Sequence, residues 1–354
     1  MVQKVYYNGN IVNPQTDYNA VKNPDGLGTL AQEVQSIVHS VTEETFTVDI
    51  NYNRTIAFNQ LSTTTTESED AVYYAHTCYF RAPSSDAKAK LVIICPGGGM
   101  GAVSGYNYCN EGAIFNALGY AVLSITGYSS AWATEQGVTS GAAPIGSWYA
   151  TEEVIKAYQY VTEKYAWIDK DAVFLTGESQ GGQVAENVAE MTNIPFRAIA
   201  LDAPALSIEN HQMRLSSRTA MINALYGIDG TYNADLCIGC DPYTRNVSES
   251  IGTTLSNVTA KKYRNTNAPT LIIAGSSDSI VSPNITKCYI RAVMNAGGFL
   301  KFRYYSGIGH GVVQYSSVKG KVGMYDCTQG MADILTWFAR YGGYSFTITE
   351  TEQE

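Results

Sequence analysis

Histidine is scarce: four residues among 354, so chemistry that needs an imidazole has few places to reside. Basic residues are also sparse, with 23 Lys and Arg against 32 Asp and Glu, a net charge of −9, and they form no cluster. Binding to a run of phosphates requires such a cluster, which argues against a nucleic-acid partner. Long apolar runs are missing too. The strongest, "KLVIIC" and "TLIIAG", are far too short to cross a bilayer, so no membrane span is expected. The opening "MVQKVYYNGNIV" lacks the continuous apolar core of a secretory signal, a pattern expected of a cytoplasmic protein or of a secreted one whose signal has been removed.

The seven cysteines are an odd number and too thinly spread for the disulfide framework of a small secreted domain. The single CxxC, Cys237 to Cys240, lacks the two further ligands that a zinc site needs, which leaves a local disulfide or two free thiols. Cys95 ends an apolar run and reads as a small hydrophobe. No G-x-G-x-x-G occurs, and no Lys-Ser/Thr follows the glycines at 97–99, so nucleotide phosphates have no cradle.

What is present is globular: 45% hydrophobic and 16% charged residues, enough for one large domain with an appendage. Residues 1–65 are Asn- and Thr-rich, with one helix-period stretch, "TLAQEVQSIVHSV", and read as an accessory segment. "STTTTESED" (62–70) reads as a linker. From residue 66 to 345 the pattern is that of a catalytic body. Short apolar runs ("AVYYAHTCYF", "KLVIIC", "YAVLSIT", "AVFLTG", "AIALD", "TLIIAG", "FLKFRYY") alternate with helical segments, and residues 346–354 form an acidic tail. The alternation predicts an α/β fold with a mostly parallel sheet covered by helices on both faces, its functional groups gathered at the carboxyl ends of the strands. "AVYYAHTCYF" is expected to run antiparallel. Residues 127–149 and 207–266 are too long for plain connections and are read as a pocket wall and a cap.

"TGESQGGQVAENVAE" (176–190) contains Gly177-Glu178-Ser179-Gln180-Gly181, a G-x-S-x-G turn between a strand and an amphipathic helix. Such a turn exposes a strained serine, and its glycines let strand and helix pack closely. A serine hydroxyl is a weak nucleophile without a base. Of the histidines, His39 lies in the accessory segment, His76 in the first strand of the body and His211 at the start of the cap. His310, in "YYSGIGHGVV", follows the last strand, where the chain order Ser, Asp, His expects the base. Asp278, ending "TLIIAGSSD", is the candidate orienting acid. Asp202 in "IALDAP" competes with it, and either could instead cap a helix. "CPGGGMG" (95–101) leaves the backbone N–H groups of its three successive glycines, Gly97, Gly98 and Gly99, bare enough to hold an oxyanion, and the N–H after the serine, that of Gln180, is the other expected donor. Met100, Glu178, Trp132 and Trp148 are candidate pocket residues.

These motifs resemble the α/β-hydrolase superfamily over residues 71–342, and within it the acetyl-xylan-esterase-like and hormone-sensitive-lipase-like branch, on "PGGGMG", "NALGYAVLSITGY" and "GESQGG". The resemblance implies an α/β-hydrolase fold and a serine esterase without metal or organic cofactor, in which Ser179 is acylated, His310 moves the proton and Asp278 orients it. It also implies acetyl or feruloyl esters of polysaccharide as substrates, with unspecialised carboxylesterases and peptidases of the prolyl-oligopeptidase type as alternatives. A hydrolase fold kept only for binding is the non-enzymatic alternative. The cap surface fits either a lid or a contact in a homo-oligomer, and residues 1–65 fit a tether to a larger assembly.

Overall fold

The computed structural model describes residues 5–7, 10–12, 42–52, 71–83, 88–138, 142–252, 254–261 and 268–349. β1 (Val5–Tyr7) and β2 (Asn10–Val12) pair as a hairpin. Eight further strands form the central sheet: β3 (Thr42–Asn51), β4 (Tyr73–Ala82), β5 (Ala89–Cys95), β6 (Ala121–Ser124), β7 (Ile168–Glu178), β8 (Phe196–Asp202), β9 (Thr270–Gly275) and β10 (Leu300–Tyr305). Their spatial order is β10-β9-β8-β7-β5-β6-β4-β3. Neighbours pair in parallel except at β4, which runs antiparallel to both β3 and β6.

β9 is buried along its whole length and β5 at all but one position. That explains their unbroken apolar sequences, because a parallel strand covered on both faces has no polar side to present. One face is covered by α4 (Trp148–Lys164), α5 (Gln180–Met191) and α10 (Pro283–Asn295), through residues such as Val154, Val184, Val188 and Tyr289. The other is covered by α1 (Ala102–Asn107), α2 (Glu111–Ala117) and α12 (Gln329–Gly342), through Tyr106, Phe115 and Phe338. The expected α/β-hydrolase architecture is thus present. β11 (Val318–Val322) and β12 (Tyr325–Thr328) make a small ribbon before α12. Among the described residues no helix is long and apolar enough to cross a membrane.

Two boundaries differ from the sequence reading. Residues 42–51, assigned to the accessory segment, are the edge strand of the sheet and pair residue for residue with β4. Alternation there puts Phe46, Val48 and Ile50 on the buried side, a period-2 signal that the Thr/Glu-rich composition disguises. The helix expected at "TLAQEVQSIVHSV" and the linker at 62–70 lie outside the described residues. At the other end, Phe346 and Ile348 pack against the core and Thr349 bridges Lys321, so the first part of the acidic tail joins the body.

The segment after β8, read from the sequence as a cap, contains α6 (Ile208–Arg214), α7 (Thr219–Tyr226), α8 (Ala234–Cys237) and α9 (Pro242–Asn246). Cys237 and Cys240 are buried free thiols, each pushed up to about 12 by burial. A buried cation fixes the cap to the body. Arg245 is 2% exposed and donates from Nε to Glu190 at 2.7 Å, from Nη2 to Asn187 at 3.0 Å and from Nη1 to the Gly239 carbonyl at 2.9 Å. Glu190 and Asn187 lie on α5, the helix that follows Ser179. Such a pair is costly to break one-sidedly, because the charge left behind stays dry. Glu190→Ala is therefore expected to lower stability by about 3–5 kcal/mol in urea unfolding. A loss within experimental error would mean that the guanidinium finds water or another acceptor.

Candidate active site

β7 ends at Glu178, and Ser179 turns the chain into α5 with φ 54° and ψ −118°, a backbone region that a residue with a Cβ adopts only under constraint. The constraint is packing. A Cβ on Gly181 would lie 1.9 Å from the Cys95 carbonyl oxygen, and one on Gly177 would lie 2.4 Å from that of Gly181. The serine is tied further by its N–H, which donates to the Asp202 carbonyl at 2.9 Å, and by its own carbonyl, which accepts from Ala205 at 2.8 Å. The hydroxyl therefore projects past the carboxyl ends of the parallel strands.

His310 reaches it from the turn after β10. Its Nε2 is 2.8 Å from Ser179 Oγ and its Nδ1 is 2.8 Å from Asp278 Oδ2. A carboxylate can only accept, so Nδ1 carries the proton and Nε2 is free to take one from the serine. Asp278 is aimed by two backbone N–H groups, those of Ile280 (2.8 Å) and Val281 (2.9 Å), which donate to Oδ1. The loops carrying the acid and the histidine are joined, with Ser277 N–H donating to the Ile308 carbonyl at 2.8 Å. Asp202, the competing acid, turns elsewhere. Its two oxygens accept from Val312 and Val313 N–H, both at 2.8 Å, at the start of α11 (Val312–Tyr315).

Pro96 to Gly99 turn back beside the serine, and Met100 N–H closes the turn on the Gly97 carbonyl at 3.3 Å. The N–H groups of Gly98, Gly99 and Gln180 have no acceptor among the described residues. Above them lies a residue that sequence reasoning missed. Arg218 of the cap holds Nη2 3.0 Å from where a Cβ on Gly98 would sit, and its Nη1 donates to the Ala142 carbonyl at 3.4 Å. No motif marks it, since only the folding of the cap over the turn brings it there. Gln180's side chain covers Gly98 as well, its Oε1 buried without a hydrogen-bond partner.

Glu178, proposed from sequence as a pocket residue, lies against Gly97 with Oε1 3.7 Å from His310 Nε2. Burial, reinforced by the Asp202 charge, pushes its carboxyl up to about 7, while the imidazole opposes the rise. Met100 packs on the same spot. The two tryptophans do not line the site. Trp132 is buried in a cluster with Ile208, Met221 and Cys237, and Trp148 packs against that cluster, because both rings face inward from the 127–149 wall. His211 is buried, and burial pulls its imidazole down to about 3. His76 is buried and bonded to Glu153, away from the serine. No group of three or more His, Cys, Asp or Glu that could hold a metal ion occurs among the described residues.

A cavity of about 900 Å³ adjoins this arrangement through Gly101, at the end of the glycine turn, and Tyr108, whose hydroxyl lies 3.7 Å from the Cβ position of Gly311. Tyr128, Ser129 and Ser130 of the 127–149 segment also line it. Its lining holds hydroxyl, amide and apolar groups and no charged side chain.

The sequence model of the prolyl oligopeptidase family matches residues 110–341 of the 354. The chain belongs to that family. Its fold is that of the α/β-hydrolase superfamily, as the motifs implied, whereas the acetyl-xylan-esterase branch is not singled out. The match begins after the glycine turn, so the candidate oxyanion donors Gly98 and Gly99 lie outside it. No curated protein sequence matches the chain significantly. Among solved structures it is similar to the Pyrococcus horikoshii acylaminoacyl peptidase (12% identity, TM-score 0.55, 88% of this chain and 43% of that one). It is similar as well to a puromycin-hydrolyzing peptidase of Mycobacterium tuberculosis (13%, 0.56, 89% and 41%) and to an S-formylglutathione hydrolase from Agrobacterium tumefaciens (12%, 0.55, 86% and 96%). The chain spans less than half the length of the two peptidases and nearly all of the third protein. At these identities the likeness is one of fold.

The pH response follows from the charges around His310. Burial alone would lower its imidazole, but the hydrogen bond and charge of Asp278, with the charges of Glu178 and Asp202, raise it above the ordinary 6.5. A base must be neutral, so activity is expected to fall as pH drops through a value above 6.5. Glu178→Gln removes one of the raising charges and should move the acid limb of kcat/KM downward. A limb that stays in place would remove Glu178 from this role.

Proposed function

We propose that the chain hydrolyses carboxylic esters through an acyl-enzyme formed on Ser179. The supporting observation is the unbroken hydrogen-bond chain Ser179–His310–Asp278 beside three unpaired backbone N–H groups. Ser179 Oγ attacks the ester carbonyl carbon while His310 Nε2 takes its proton. The N–H groups of Gly98, Gly99 and Gln180 hold the oxyanion, and Arg218 adds positive charge above them. His310 returns the proton to the departing alcohol, and a water then repeats the sequence to release the acid. Glu178, 3.7 Å from Nε2, favours the imidazolium that forms in each half-reaction. For the alcohol we propose a neutral, hydroxyl-rich partner such as an acetylated or feruloylated sugar. The uncharged cavity with its Thr77, Ser104, Tyr108, Thr126 and Ser129 hydroxyls supports this reading.

Family membership favours a second reading, a peptidase, for which the same residues would attack an amide. p-Nitrophenyl acetate, acetylated xylo-oligosaccharide and an N-acylaminoacyl p-nitroanilide, compared on one preparation, separate the two. Faster turnover of the anilide than of both esters would overturn the esterase reading. Ser179→Ala should lower kcat/KM by about 10⁴-fold or more and abolish labelling by a fluorophosphonate. Retained labelling would place the nucleophile elsewhere.

A further inference from the structure

Outside the Ser179–His310–Asp278 chain, a second set of buried polar groups converges on the cavity wall. Glu153 of α4 is fully buried and collects four donors: Thr126 N–H at 2.8 Å, Gly127 N–H at 2.7 Å, His76 Nδ1 at 2.6 Å and Cys78 Sγ at 3.5 Å. His76, equally buried, meets the Tyr52 hydroxyl through Nε2 at 2.7 Å, and that hydroxyl accepts from Ser129 N–H at 3.1 Å. The roles are consistent. The acceptor-only carboxylate takes His76 Nδ1–H, so in a neutral imidazole Nε2 is the acceptor and receives the Tyr52 O–H, whose oxygen also accepts from Ser129 N–H.

Every wall group that this chain grips lies between residues 126 and 129, and Thr126, Tyr128 and Ser129 line the cavity. Thr126 links the wall to its surroundings, since its hydroxyl donates to the Thr77 carbonyl at 2.6 Å and accepts from Ala102 N–H at 3.2 Å, on the helix after the glycine turn. Ser129 in turn caps α3 (Ser130–Glu135), accepting from Trp132 N–H at 3.4 Å. Tyr52 is itself held by stacking on Tyr149 at 3.9 Å and by Trp132 at 4.8 Å.

We propose that Tyr52, His76 and Glu153 are positioning residues that fix the 126–131 wall, and so set how tightly the enzyme holds a large neutral alcohol while leaving bond-breaking at Ser179 to other groups. This rests on the cavity being the alcohol site. Without the relay the strand end would carry buried N–H groups and a loose wall, since unmade buried hydrogen bonds are costly. Such networks fix one arrangement when every member is satisfied.

Tyr52→Phe tests it with little disturbance, because the ring and its stacking remain while the hydroxyl that joins Ser129 to His76 is lost. KM for glucose pentaacetate should rise about two- to tenfold, more than KM for p-nitrophenyl acetate, with kcat moving much less. Amide hydrogen exchange over residues 126–131 should quicken by a similar factor, and Glu153→Gln should do the same more strongly. Unchanged exchange in both variants overturns the proposal, as does quicker exchange with KM unmoved, or a fall in kcat for both esters. If the wild-type protein turns over neither ester, the catalytic reading fails by itself. Equilibrium binding of glucose pentaacetate to wild type and Tyr52→Phe then decides the wall's role, and equal Kd values overturn it.

Discussion

The contact between α5 and the carboxyl ends of β5 and β7 is the constraint on which the site rests. Gly181 approaches the Cys95 carbonyl so closely that no side chain fits, and this closeness holds Ser179 in a strained conformation with its hydroxyl outward. The backbone strain, of order 1–3 kcal/mol, is offset by the burial of Val184 and Val188 on the same helix. Fixing the helix fixes the serine, the amide of Gln180, and the direction from which a histidine can approach.

Charge is arranged around that contact with unusual economy of solvent. Glu178, Asp202 and Glu111 lie buried near one another, pushed up to about 7, 6 and 8, in each case chiefly by burial. Each has a different outlet: Asp202 takes two helix N–H groups, Glu111 takes the Thr176 hydroxyl, and Glu178 faces His310. Toward the other end of α5, Arg245 and Glu190 neutralise each other and tie the segment after β8 to that helix. The cavity beside the site, by contrast, is lined by no charged side chain.

Much of this was legible in the residues. The elbow, the order serine, aspartate, histidine, and the glycine turn are local motifs, and local motifs survive translation into structure because strand, turn and helix are each specified by neighbouring residues. The edge strand at 42–51 was hidden by its Thr and Glu residues, since an edge strand needs only one apolar face. The tryptophans of the 127–149 wall were read as pocket rings, yet they turned inward, because large aromatic area is stabilised more by packing than by lining a wet cavity.

The sequence by itself determined the fold class, the nucleophilic turn and the small set of histidines from which a base could come. Tertiary structure alone decided that Asp278 and not Asp202 bonds the histidine, that Arg218 overlies the glycine turn, and that Tyr52, His76 and Glu153 meet behind the cavity wall. The reason is distance along the chain. These groups come from segments tens to hundreds of residues apart, and only the register of the sheet and the docking of the cap bring them within reach of one another.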